Sequence, residues 1–245
     1  MEIHHHSHTA RKKWTHYFWE FLMLFLAVFC GFLAENQREH FIEQKREKQF
    51  MRSLVADLQK DTASLQNMMV WTEYVIKGMD TLRQSVYNIG TDDSAVKKLY
   101  VYSRQYLRPI GIDFTDRTSS QLKNAGGMRL IRNELVADSI ISYWFGIEAI
   151  KYLQERGISF TNEAIKLRLK ILDSRYLLEA DYGTEFFPVR NNPVLLKKDP
   201  ELLSEFANHV HNTQQFLRYL QSGYRIQNKS AVGLINIIKK EYHLK

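Results

Sequence analysis

Eighteen consecutive residues, Tyr17 to Ala34 (Tyr-Phe-Trp-Glu-Phe-Leu-Met-Leu-Phe-Leu-Ala-Val-Phe-Cys-Gly-Phe-Leu-Ala), hold a single charge, Glu20, close to their start. At ~1.5 Å per helical residue they reach roughly 27 Å, near the hydrocarbon thickness of a bilayer. A core helix of a water-soluble protein rarely runs this long without a polar face. The segment therefore predicts one N-terminal transmembrane helix with the lipid bilayer as its surroundings. Trp14, Tyr17 and Trp19 stand at one end, where amphipathic rings favour the headgroup level. Signal cleavage needs small residues before the cut, and the best position puts Phe32 three residues ahead of it. Phe29 before Cys30 is equally poor for a lipoprotein signal, so the segment reads as a retained anchor.

Within it, Ala27, Gly31 and Ala34 repeat at spacings of four and three, with Cys30 beside them. Small side chains on one face let membrane helices approach closely, so these three mark a helix–helix contact and point to a homo-oligomer; chance is the competing explanation. Arg11, Lys12 and Lys13 precede the segment, whereas the cations after it (Arg38, Lys45, Arg46, Lys48) are mixed with glutamates. Since acids count for little in the orientation rule, the preference is modest. It favours a cytoplasmic N-terminus and a domain outside the cytoplasm, as in a bacterial inner-membrane protein with a periplasmic domain. The tract His4, His5, His6, His8 is interrupted by Ser7 and reads as a native tail rather than a tag or metal site.

With residues 1–16 as tail and 17–34 as anchor, the remaining chain divides into a stalk, 35–49, and one soluble domain, 50–245. Apolar residues make up 44% of the chain and charged residues 25%, proportions that suit a packed core rather than long disorder. Only four prolines and eleven glycines interrupt 245 residues, which favours long helices. The net charge of +7 fits attraction to anionic surfaces and a solvated basic surface equally. Its cations form no stripe interleaved with exposed aromatics, so no nucleic acid is expected as partner. One cysteine excludes an intrachain disulfide.

From Glu35 to Gln49 charges of both signs dominate, the pattern of a solvated helical stalk. Apolar residues then recur at Met51, Leu54, Leu58, Leu65, Met68, Val75, Met79, Leu82 and Val86 without a proline, so anchor, stalk and first domain helix predict one long helical rod. Asp61 and Thr72 interrupt a coiled-coil seam, and packing within the domain is favoured. Gly90-Thr-Asp-Asp93 predicts a turn, Ser94–Leu107 a helix ending before Pro109, and 108–116 a loop. Thr118-Ser-Ser-Gln121 reads as a capping box, with Gly126-Gly127 closing its short helix. Asn133 is placed to cap a helix with Val136, Ile140, Tyr143, Trp144, Ile147 and Ile150 on one face, extending past Gly157 towards Leu178. Residues 181–198 read as irregular, Asp199-Pro-Glu201 as a helix start, and Ala231, Leu234, Ile235, Ile238 and Tyr242 as the apolar face of a final helix. The expected fold is all-α: a transmembrane helix continuing into a soluble antiparallel bundle of four or more helices.

Four blocks carry a resemblance. They are Trp19 through Glu39, running into Ala34-Glu35-Asn36; Arg52-Ser-Leu-Val-Ala-Asp-Leu58; Leu122-Lys-Asn-Ala-Gly-Gly-Met-Arg-Leu-Ile-Arg132; and Leu234-Ile-Asn-Ile-Ile-Lys-Lys-Glu241. Over nearly its whole length the chain resembles a family of single-pass, membrane-anchored helical proteins of Bacteroidetes-type bacteria whose shared domain is of unknown function. The resemblance implies the topology and adds no activity, ligand or catalytic residue.

Chemistry is sparse. No phosphate loop, nucleophile elbow or paired-histidine metal helix is present. His209 and His211, two apart on a helix, point about 200° away from each other and cannot share an ion. Asp113, Asp116, Asp92 and Asp93 fit turn and cap chemistry better than cation binding. Tyr100, Tyr102 and Tyr106 fit core and boundary packing better than a binding patch. The loop with Gly126, Gly127, Arg129 and Arg132 offers backbone and cations to an anionic ligand or a partner's carboxylate; the competing reading is a glycine cap with Leu130 and Ile131 plugging the core. No cofactor and no catalytic set is expected. The residues favour a non-enzymatic anchored protein that self-associates and contacts a partner protein, with an extracytoplasmic ligand-sensing bundle as the alternative.

Overall fold

The computed structural model describes residues 14–124, 126–179 and 187–244. Among them are five α-helices and no β-strand: α1 Trp14–Tyr87, α2 Ala95–Tyr106, α3 Arg117–Asn124, α4 Glu134–Ile171 and α5 Pro200–Glu241. Short 3-10 turns occupy Gly127–Leu130 and Ser174–Tyr176. The all-α reading stands. Two compact units are formed, Met1–Gln49 and Phe50–Lys245, and α1 contributes to each.

In the first unit the N-terminal part of α1 is long and apolar enough to cross a membrane, and none of its apolar window is buried by protein. Trp19, Phe21, Leu24, Val28 and Phe32 are all exposed. Phe21, Phe25 and Phe29 stack at one-turn intervals, with ring centroids 6.3 and 5.9 Å apart. Past the apolar window, Arg38 and Glu35 pair one turn apart on an exposed face, the pattern of a solvated helix.

The second unit is built on three long helices. Side-chain contacts pair Met69 with Gln221, Ile76 with Gln214 and Arg83 with His211, so α5 runs antiparallel to α1. Gly146 faces Gln227 and Gly157 faces Phe216, so α5 is antiparallel to α4 as well. Helices α1 and α4 are therefore parallel, and parallel helices need a long return connection. Residues 88–133 supply it. Helix α2 runs back along α1 with the Tyr106 ring packed over Gly78, and the following loop reaches Asp61 and Asp57.

Two apolar clusters fill the bundle. Near the start of α4, Met51, Leu54 and Leu58 meet Val136, Ile140, Ala231, Leu234 and Ile238. Towards its end, Val75, Met79 and Leu82 meet Leu99, Tyr100, Leu167, Ile171, Phe206 and Val210. The face expected on α4 is buried throughout. So are Asp61 and Thr72, read from the sequence as breaks in the seam. They are tolerated because each has a partner: Asp61 accepts from Thr115 N and Tyr143 Oη, both at 2.8 Å, and Thr72 donates to Met68 O.

Three local expectations change. Thr118 is no helix cap: α3 starts at Arg117, and the Thr118 hydroxyl donates to buried Asp57. Helix α4 stops at Ile171, where Leu172 turns extended (φ −91°, ψ 138°) and bridges to Leu195. The start at Asp199 and the final apolar face belong to one helix of 42 residues. As expected, Asn133 caps α4 by accepting from Val136 N, and Asp199 caps α5 by accepting from Glu201 N.

Candidate functional site

Both α2 and α4 end with an arginine in the last turn, Arg104 and Arg168, where a cation meets the negative end of the helix dipole. The chain leaving α4 folds back beside α2 because Tyr100, fully buried, pins it. Its phenol donates to Val194 O at 2.8 Å and accepts from Asp173 N at 2.7 Å. Arg175 follows in the 3-10 turn that Asp173 caps. These segments enclose a cleft of about 620 Å³ with Arg104, Arg168 and Arg175 in its lining, and Leu169, Leu172, Leu177 and Leu196 as its apolar wall.

The three cations differ in what they already hold. Arg175 forks onto both oxygens of Asp173, which is itself buried, and these bonds hold the Asp173 carboxyl below the usual aspartate range. Arg104 donates to Pro188 O and Leu178 O, each at 3.1 Å, and lies 5.3 Å from the centre of the Phe187 ring. Half-buried Arg168 donates to Ser103 O at 2.8 Å. Among the described residues neither Arg104 nor Arg168 pairs with a carboxylate. Burial, followed by the neighbouring charge of Arg104, pulls Arg168 below the ordinary arginine value. An arginine stays protonated at any physiological pH even so. Among the described lining residues the cleft thus holds three guanidinium groups and one carboxylate; the half-buried charge of Arg168 acts more strongly there than in water, whereas Arg175 is largely exposed.

The residues singled out from the sequence lie elsewhere. Ala27, Gly31 and Ala34 are exposed on α1, and a Cβ added at Gly31 would meet nothing within 4 Å. Gly126 takes the left-handed conformation (φ 64°) that glycine adopts without a steric penalty, ahead of the 3-10 turn. Gly127 is buried, with room for no more than its hydrogen: a Cβ there would lie 3.0 Å from Leu122 Cα. Arg129 and Arg132 are exposed on that loop while Ile131 is buried in the bundle core. His211 Nδ1 sits 2.7 Å from Arg83 Nη1, and His209 contributes its carbonyl to Thr213 Oγ1. Among the described residues no group of three or more His, Cys, Asp or Glu side chains is gathered as for a metal. The tract His4, His5, His6, His8 lies outside the described residues.

Comparison with family models, curated proteins and solved structures gave no match. Arg104, Arg168 and Arg175 escaped the sequence reading because nothing in their spacing links them. Each reads alone as a helix-end or turn cation, and only the return of the chain after α4 brings them together. The one usable signal was Arg168 beside the buried positions Ala164, Leu167 and Ile171.

Proposed function

We propose that this is a single-pass, membrane-anchored, non-enzymatic helical protein that acts through self-association and contacts with a protein partner. The observation that carries it is the uncovered apolar stretch at the start of α1. Each large apolar side chain left in water there costs on the order of 1.5–3 kcal/mol, and Phe21, Leu24, Phe25, Val28 and Phe32 are all exposed. A bilayer relieves that cost on every face of the helix at once, and a second copy of the helix relieves it on one. The small residues Ala27, Gly31 and Ala34 supply the face for close approach.

The non-enzymatic reading draws support from the buried acids, which are engaged in holding the chain. Asp57 is held by Thr118 and Arg117, Asp61 by Thr115 and Tyr143, and Asp173 by Arg175. The cations ahead of the anchor favour a cytoplasmic N-terminus and a periplasmic domain at a bacterial inner membrane. The same reading puts the chain with the Bacteroidetes-type single-pass family that its sequence blocks resemble.

Mass measurement by light scattering on the full chain in mild detergent tests the association. The expected result is an oligomer that Gly31→Leu converts to monomer, and a monomer at every wild-type concentration overturns it. Reporter fusions at the C-terminus test orientation, with activity expected from a periplasmic reporter and not from a cytoplasmic one.

A further inference from the structure

We propose that the arginine-lined cleft between the ends of α2 and α4 binds a small organic carboxylate with an apolar body. Three features lead there, and none depends on the anchor or on self-association. First, charge: Asp173 is taken up by Arg175, while among the described residues Arg104 and Arg168 hydrogen-bond only to backbone carbonyls and Arg104 also lies over the Phe187 ring. One carbonyl leaves most N–H donors of Arg168 without a partner among the described residues, and Arg168 is part of the cleft lining. Second, shape: a planar guanidinium fork matches a carboxylate in a bidentate arrangement, which a spherical anion cannot exploit. Third, the wall: Leu169, Leu172, Leu177 and Leu196 give a hydrocarbon body a surface to cover, and Leu169 and Leu196 are exposed without it. At about 620 Å³ the cleft falls in the size range of small-molecule sites.

The depressed proton affinity of Arg168 agrees with this placement, since a bound anion would offset the two causes, burial and the charge of Arg104. The competing role for these arginines is a clamp alone, Arg104 holding residues 178 and 188 to α2 and Arg168 holding α4 to α2. A clamp needs the hydrogen bonds to carbonyls but gives no reason for an open, leucine-walled recess beside them. It also makes no distinction between ligands.

The test uses the full-length chain in nanodiscs, with empty nanodiscs as blank, and hexanoate as probe, followed by calorimetry or ligand-observed NMR. Saturable hexanoate binding is expected, at least tenfold tighter than acetate, hexanol or inorganic phosphate. Arg168→Gln should weaken it tenfold or more, and Arg168→Lys should weaken it several-fold by keeping the charge while losing the fork. Leu196→Glu, at an exposed wall position where folding is not at stake, should abolish it. Arg225→Gln, at an exposed arginine of α5 that does not line the cleft, should leave it unchanged. Hexanoate binding no tighter than hexanol or phosphate overturns the proposal, as does binding that survives Arg168→Gln or Leu196→Glu, or equal loss on Arg225→Gln.

Discussion

Single atoms decide several positions in this bundle. A Cβ on Gly78 would sit 2.2 Å from Cζ of the Tyr106 ring, which is buried and whose hydroxyl lies 3.3 Å from that of Tyr74. A rigid ring cannot fold away from the clash as a flexible chain end does. Overpacking of this kind costs about 1–3 kcal/mol, against a helix-propensity gain of about 1 kcal/mol for alanine over glycine. Gly78→Ala should therefore lower stability by up to ~2 kcal/mol in thermal unfolding. Gly233, also inside a helix but with open space around it, should respond in the opposite sense, Gly233→Ala raising stability by ~0.5–1 kcal/mol. The turn before α2 carries an acid with its own pH signature. Hydrogen bonds from Ser94 Oγ and Lys98, then from Ser94 N, lower Asp92 to about 2. Because the folded value is depressed, its contribution is complete above the unfolded value of about 3.9 and is lost as pH falls through about 2. Unfolding midpoints measured from pH 5 down to pH 2 should fall in the wild type and fall less steeply in Asp92→Asn.

At the scale of elements, two carboxylates one turn apart on α1 organise the connection that crosses from α2 to α4. Asp57 accepts from Thr118 N and Thr118 Oγ1 and pairs with Arg117, while Asp61 accepts from Thr115 N and the Tyr143 phenol. Burial, then the Asp61 charge, pushes the Tyr143 phenol far above the ordinary tyrosine value, so it stays protonated as donor. A loop that turns inside a bundle must satisfy its backbone N–H groups from a side chain, and these aspartates do so. Asp57→Ala leaves a buried N–H and hydroxyl without their acceptor, and about 2–4 kcal/mol of stability should be lost. Hydrogen exchange should show the loss concentrated in α3 and the loop before it. Exchange in α5 unchanged relative to α3 is the pattern to look for.

On the scale of the molecule, the chain combines a unit whose apolar side chains face outward with one whose apolar side chains face inward. On the membrane-anchored reading proposed above, the first unit faces lipid and the second water. Placing arginine at Phe25 and Val28 together puts two charges at the middle of the apolar stretch, each costing roughly 2.5–3.5 kcal/mol on insertion scales. The double variant should move the protein from the membrane fraction to the soluble or aggregated fraction after alkaline extraction. The second unit should retain its wild-type circular dichroism when the variant is recovered in detergent.

The long apolar start of α1, the helical class, the buried face of α4 and the caps at Asn133 and Asp199 were all legible in the sequence. Each depends on side chains within a turn or two of one another, where spacing alone sets direction. Thr118 was misread as a cap for the complementary reason, its partner Asp57 lying in another element. Asp61 and Thr72, which weighed against a coiled-coil seam and for packing within the domain, are buried there, and the partners of Asp61 lie in other elements. The cleft of Arg104, Arg168 and Arg175 was decided by tertiary structure alone. Local sequence determines which residues turn outward and which to the core; which cations share a recess depends on where α4 ends and how Tyr100 fastens the chain that follows it.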